Sequence, residues 1–195
     1  MPAESRPTEA TILMDSAAMQ ATLHRMAQMI AQDNMEPDQL VMLGILRRGR
    51  PLADRLAALI GEMTGHTPEV GSLATTLYRD DFLEEGRTPK VHGETHFDFS
   101  VDGRTVLLVD DVLAKGRTIR AAMGEVMDYG RPQRIQLACL IDRGGRELPI
   151  QADYLGWSIA AEPGEWVRVR LEEMDGEDIV LLMRPTADPL PGAAS

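Results

Sequence analysis

Two short runs in this chain are apolar without alternation, Leu40 to Leu46 (LVMLGIL) and Val106 to Val109 (VLLV), and a third, Ile135 to Ile141, is nearly so. Strands with that pattern are covered on both faces, as in a parallel sheet between layers of helix. The intervening segments have helical period. From Asp15, a suitable N-cap, Met19, Leu23, Met26 and Ile30 recur at steps of 4, 3 and 4. Leu52, Leu56, Leu59, Ile60 and Met63 mark a second helix, and Ile119, Met123, Val126 and Met127 a third that stops at Gly130 with Pro132 just beyond. Glu69 to Tyr78 reads as a further strand, and Ala152 to Ile159, Val167 to Leu171 and Ile179 to Met183 as three shorter ones. Helices alternating with buried strands predict an α/β fold, a mostly parallel sheet flanked by helices.

Phe82 to Gly103 keeps no period and mixes Gly, Pro, Glu and His. A long aperiodic stretch inside a domain is expected to cover a site, so it reads as a flexible lid loop or a hairpin. His92 and His96 fall in it four apart, with no cysteine or carboxylate pattern to make them metal ligands. The polar first residues and the Pro/Ala-rich last ones predict disordered tails over 1–11 and 185–195, leaving one domain over 12–184.

Composition narrows the partners. A net charge of −11 opposes approach to nucleic acid unless the basic residues are gathered on one face. Aromatic residues are 4% of the chain, so Leu, Val, Ile, Ala and the twelve Met must fill the core. The single cysteine, Cys139, lies in an apolar run and reads as a buried thiol in a reducing compartment. The polar N-terminus has no signal-peptide core, and no run approaches membrane-spanning length; the expectation is a cytoplasmic protein with no membrane partner.

Three charged loops follow three of the buried strands. Asp110 and Asp111 come where the central strand is expected to leave the sheet, followed by Val112, Leu113, Ala114, Lys115, Gly116, Arg117 and Thr118 into a helix. Backbone N–H groups at a helix start cradle phosphate, and Gly116, the Thr118 hydroxyl and the Lys115 ammonium suit the same anion. The carboxylates repel phosphate and suit hydroxyl donors or a divalent cation. A sugar diol with a phosphate at its other end satisfies both halves. Arg47, Arg48 and Gly49, a basic turn before a helix, form a second candidate anion site, and Asp142, Arg143 and Gly144 open the third loop. On the residues alone the acidic pair also reads as a polar strand exit and the arginines as a solvated loop.

The motifs GILRRG (44–49), TLYRDD (76–81), VLLVDDVLAKGRT (106–118) and GRPQRIQLACLIDRGGRELPIQADYLG (130–156) together resemble the PyrR family, pyrimidine operon regulators with uracil phosphoribosyltransferase activity. The resemblance implies a type I phosphoribosyltransferase fold with a small hood, and formation of UMP and pyrophosphate from uracil and phosphoribosyl pyrophosphate (PRPP). It implies Mg²⁺ carried by PRPP and touching Asp110 or Asp111, and pyrophosphate held at residues 47–49 with Arg79. It further implies the 5′-phosphate at 112–118, uracil beside Asp142, Arg143 and Gly144, and a homodimer or higher homo-oligomer. Three residues depart from the family pattern: Ala114 and Lys115 stand where Tyr and Thr are usual, Arg47 where Thr is, and Gly145 where His is. An RNA-binding regulator that senses UMP or UTP, or a transferase for another base, are the alternatives, and the net charge disfavours the first.

Overall fold

The computed structural model describes residues 8–75 and 94–185. In chain order the strands are β1 (Thr8–Met14), β2 (Leu40–Ile45), β3 (Glu69–Leu73), β4 (Thr105–Leu113), β5 (Arg134–Asp142), β6 (Tyr154–Ser158), β7 (Trp166–Arg170) and β8 (Ile179–Pro185). The helices are α1 (Ser16–Asp33), α2 (Gly49–Thr64), α3 (Arg117–Tyr129) and the single turn α4 (Glu172–Asp175). Five strands form a parallel sheet in the order β3-β2-β4-β5-β6. The chain runs outward from β2 to β3 and then returns to β4, so the switch point lies between β2 and β4. In open sheets of this kind that crevice is the ligand site.

Alternation along the central strands sends side chains to two cores. Met42, Leu107, Val109, Ala138 and Leu140 pack with Met19, Leu23, Met26 and Ile30 of α1 and Leu52, Leu56 and Ile60 of α2. Val41, Leu43, Val106, Leu108, Leu137 and Cys139 pack with Ile119, Ala122 and Val126 of α3 on the other face. Asp15 caps α1 as expected, its Oδ1 accepting from Ala18 N–H at 2.8 Å. The expected faces of the other two helices are too wide by one residue each: Met63 and Met127 are exposed.

A second, antiparallel sheet, β1-β8-β7, stands apart as a hood whose Met14, Val169 and Val180 join the core under α1 and α2. It corrects both tail boundaries. Thr8 to Thr11, expected in the disordered tail, pair with Pro185 to Leu182, so ordered chain begins before residue 12 and includes Pro185.

The lid expectation divides. Residues 82–93, with His92, lie outside the described residues, but 94–103 are a strap on the body of the sheet. His96 exchanges two backbone hydrogen bonds of 2.9 Å with Ser72, Phe97 and Phe99 pack on the α3-side core, and Val101 is buried. β3 stops at Leu73, short of the expected Tyr78, which lies outside the described residues.

Candidate active site

The carboxyl ends of β2, β4 and β5 bring the three charged loops to neighbouring positions. Gly44 of β2 pairs with Val109 of β4, one residue before the acidic pair. At Gly44 an added Cβ would stand 2.3 Å from the Arg50 Cα, so the turn 46–49 folds back tightly over the end of its own strand. The Leu46–Arg47 peptide in that turn is cis. The basic turn and the acidic pair therefore flank the switch-point crevice from either side.

β4 does not end at Val109. It runs through Asp110 and Asp111 to Leu113, with Asp110 opposite Cys139, Val112 opposite Ile141 and Leu113 opposite Asp142. The acidic pair thus belongs to the strand, correcting the expected strand exit, and ladder pairing gives both residues a rigid backbone. Each carboxylate also accepts the next backbone N–H, Asp110 from Asp111 and Asp111 from Val112, both at 3.0 Å. Asp110 is buried and Asp111 half-buried.

Gly116 ends the loop at φ +89°, a left-handed conformation that costs a residue with a Cβ about 1 kcal/mol or more, and α3 starts at Arg117. The first-turn N–H groups of a helix lack intrahelical acceptors; in α3 the first such bond runs from Arg120 N–H to Gly116 O at 3.0 Å. Lys115 is turned aside, its Nζ 3.6 Å from Glu147, and Arg117 Nε donates to the same carboxylate at 2.8 Å. The Arg117 hydrogen bond chiefly holds the Glu147 carboxyl below the usual carboxylate range, with Lys115 adding to it.

The third loop is sewn to the second. Arg143 N–H donates to Leu113 O at 3.0 Å, and Glu147 and Leu148 N–H both donate to Lys115 O, at 3.1 and 3.2 Å. Arg146 fastens the seam: Nη1 donates to Ala114 O at 2.6 Å, Nε to Ile150 O at 2.8 Å, and Nη2 to the Asp142 carboxylate. Gly144 and Gly145 both take positive φ, 73° and 75°. A Cβ at Gly145 would meet no atom within 4 Å, so backbone conformation rather than crowding favours glycine there.

The two arginines of the basic turn differ in their surroundings. Arg47 is exposed, whereas Arg48 Nη2 reaches the hood and contacts both Asp175 oxygens, at 3.0 and 3.1 Å. Arg79 lies outside the described residues. Sequence reasoning did not single out Arg146, Glu147 or Asp175. The charged run after Asp142 was a signal that something is bound there, but nothing in it says that the thing bound is the chain's own backbone.

These features define a class before they define a member. Residues 10–167 match the phosphoribosyl transferase domain family. The hypoxanthine phosphoribosyltransferase of Trypanosoma cruzi aligns with TM-score 0.68 at 18% identity, covering 90% of this chain and 97% of that one. A hypoxanthine-guanine phosphoribosyltransferase of Bacillus anthracis aligns at 0.63 and 17%, covering 88% and 96%. At such identity they establish the fold alone: the molecule has the type I phosphoribosyltransferase fold. Sequence relatives are narrower. Bifunctional protein PyrR of Pelotomaculum thermopropionicum is 48% identical over 171 residues, 88% of this chain and 94% of that protein. Those of Thermus thermophilus and Deinococcus radiodurans are 48% and 47% identical, over 87% and 91% of this chain and 93% and 96% of theirs. The chain belongs to the PyrR family of phosphoribosyltransferases.

Proposed function

We propose that this chain transfers the phosphoribosyl group of PRPP to uracil, giving UMP and pyrophosphate. The observation that carries the reading is the adjacency at one sheet edge of a rigid carboxylate pair, a helix-start anion nest and a basic turn. PRPP has the matching layout, with hydroxyls in its middle, a monophosphate at one end and a pyrophosphate at the other.

In this reading Asp110 and Asp111 accept from the ribose hydroxyls and favour the positive charge that grows at C1′ as its bond to the pyrophosphate oxygen breaks. That oxygen leaves with the bonding pair, uracil N1 forms the new bond to C1′, and the N1 proton passes to the departing pyrophosphate or to water. Val112 to Thr118 hold the 5′-phosphate. Arg47, Arg48 and Gly49 hold the leaving pyrophosphate, with Arg79 assigned by the sequence alone. The base lies beside Asp142, Arg143 and Gly144, whose loop Arg146 keeps in place.

The acidic pair also suits Mg²⁺, a hard cation that takes one or two carboxylates alongside substrate phosphates. In this reading the oxygens of PRPP complete the site. Bound there, Mg²⁺ would neutralise charge on the pyrophosphate.

UMP formation from uracil and PRPP with Mg²⁺, compared across free bases, tests the reading. Asp110→Asn combined with Asp111→Asn is expected to lower turnover by about 100-fold or more, the scale of losing one preorganised electrostatic contact in a dry site. Absence of uracil turnover by the parent chain, or conversion of a purine in preference, would overturn it. The family's second role, RNA-dependent regulation, belongs to the same proposal as an additional function of a homodimer. Its test is RNA affinity across a salt series, with affinity falling steeply as salt rises if phosphates are contacted. Failure to bind at low salt would exclude it.

A further inference from the structure

The contact between Arg48 and Asp175 joins two parts of the molecule whose roles differ, the turn assigned above to pyrophosphate and the hood. Asp175 is firmly held. Its Oδ2 accepts from Leu171 N–H at 3.1 Å, its own N–H donates to Leu171 O at 2.7 Å, and Leu171 is fully buried. Arg48 is the residue just before α2, at φ −82° and ψ −20°, and its side chain is 28% exposed. One guanidinium nitrogen, Nη2, is taken up by Asp175. Another, Nε, is buried with no hydrogen-bond partner among the described residues. A buried donor lacking an acceptor is an unfavourable arrangement that a ligand oxygen would relieve.

We propose that Asp175 is a positioning residue for pyrophosphate: from the hood it fixes the Arg48 guanidinium by one edge, so that the unpartnered Nε–H is held ready for a phosphate oxygen. The inference rests on the reading of residues 47–49 as the pyrophosphate turn and adds to it a residue from the turn α4 of the hood. Its physical basis is preorganisation. An arginine left to itself samples many rotamers, and freezing them on binding lowers affinity. A carboxylate fixed to the hood does the freezing in advance by holding Nη2, and it leaves the Nε–H without an acceptor. The same contact couples the hood to the transferred substrate, because the α2 end that holds the turn is also tied through Arg55 to Glu173 and Asp178.

The test is binding of PRPP and of Mg²⁺-pyrophosphate, by calorimetry on the full chain, to the parent, Asp175→Asn, Asp175→Ala, Arg48→Ala and the Arg48→Ala, Asp175→Ala double variant. Asp175→Asn preserves shape, so a poorly folded Asp175→Ala protein does not remove the test. Expected is a loss of about tenfold or more in pyrophosphate and PRPP affinity in each single variant, the scale of one charge-assisted hydrogen bond. Uracil affinity measured with 5′-phosphoribose analogues lacking the pyrophosphate should be unchanged. The double variant should be no weaker than Arg48→Ala, since Asp175 acts through Arg48. Unchanged or tighter pyrophosphate binding in Asp175→Asn, or additive losses in the double variant, would overturn the assignment. No PRPP binding by the parent would overturn the functional reading itself.

Discussion

Gly49 has no room for a side chain, because the Val109 carbonyl occupies the place where one would begin: a Cβ there would lie 2.2 Å from the oxygen. Val109 is the last apolar residue before the acidic pair, so this approach sets the spacing between the basic turn and the carboxylates. The obstacle is backbone of a central strand, which cannot move aside as a flexible side chain would.

Gly49→Ala is therefore expected to push the turn off β4. The cost should be about 1–3 kcal/mol of stability, the usual range for overpacking a filled site, and PRPP affinity should fall with it. Urea unfolding and calorimetry check the two effects. Wild-type PRPP affinity in a stable Gly49→Ala protein would show that the turn's placement does not matter to the ligand.

Arg146 bonds to Ala114 O, Ile150 O and the Asp142 carboxylate, so it bridges the phosphate loop and the base loop. Removing it takes a donor from two carbonyls and from Oδ2 of the half-buried Asp142 carboxylate, whose Oδ1 keeps the Gly144 N–H. Arg146→Ala should raise KM for uracil more than KM for PRPP, because the loop that moves is the one assigned to the base. Arg146→Lys should restore little, since an ammonium cannot replace a planar fork bonded to three acceptors. Steady-state kinetics in both substrates distinguishes this outcome from uniform damage.

The hood is fastened through Arg55, whose guanidinium meets Glu173 at 2.7 Å and Asp178 at 2.8 Å, the latter side chain 9% exposed. Both carboxyls titrate below their usual values: in Glu173 the Arg55 hydrogen bond outweighs burial, and in Asp178 burial is the largest single influence but Arg55 and the Glu172 N–H together prevail. A depressed carboxyl adds stability that is complete above its unfolded pKa and is lost as pH falls through the folded one. Against reference values of 4.5 and 3.8, the contribution is full at neutral pH, begins to fall as pH drops to those values and is gone only below the lower folded ones. Arg55→Ala should cost about 2 kcal/mol at pH 7, between exposed and buried pairs, and progressively less in acid. Thermal melts of both proteins from pH 7 to pH 3 check this; a pH-independent difference would contradict it.

Cys139 is fully buried opposite Asp110 in the β4–β5 ladder. Burial, reinforced by the charges of Asp110, Asp111 and Asp142, pushes its thiol well above the ordinary value. A thiol reagent should label it only as fast as the chain opens, and in full on denaturation. Rapid labelling of the native protein would mean that the sheet centre is accessible.

Much of this was legible in the chain because it depends on neighbours a few residues apart. The buried runs of β2, β4 and β5, the face of α1 with its Asp15 cap, and the Gly130 stop all follow from side-chain period and backbone chemistry. The acidic pair was legible for the same reason, and so was the helix that follows it, although its expected loop ran to Thr118 and α3 begins at Arg117. β1 was missed because its sequence, TEATILM, opens with polar residues and becomes a strand only when β8 supplies the ladder. The strap 94–103 has no period of its own and is held by Ser72 and by the core beneath Phe97.

The sequence by itself determined which segments become strands and helices and which residue types stand at the strand ends, since those are local consequences of pattern and backbone freedom. Only the tertiary structure decided which ends meet and which charges are already engaged. Arg48 and Asp175 are 127 positions apart. Their contact depends on how a second sheet docks on α2, a balance of many weak packing terms that no short stretch of chain carries.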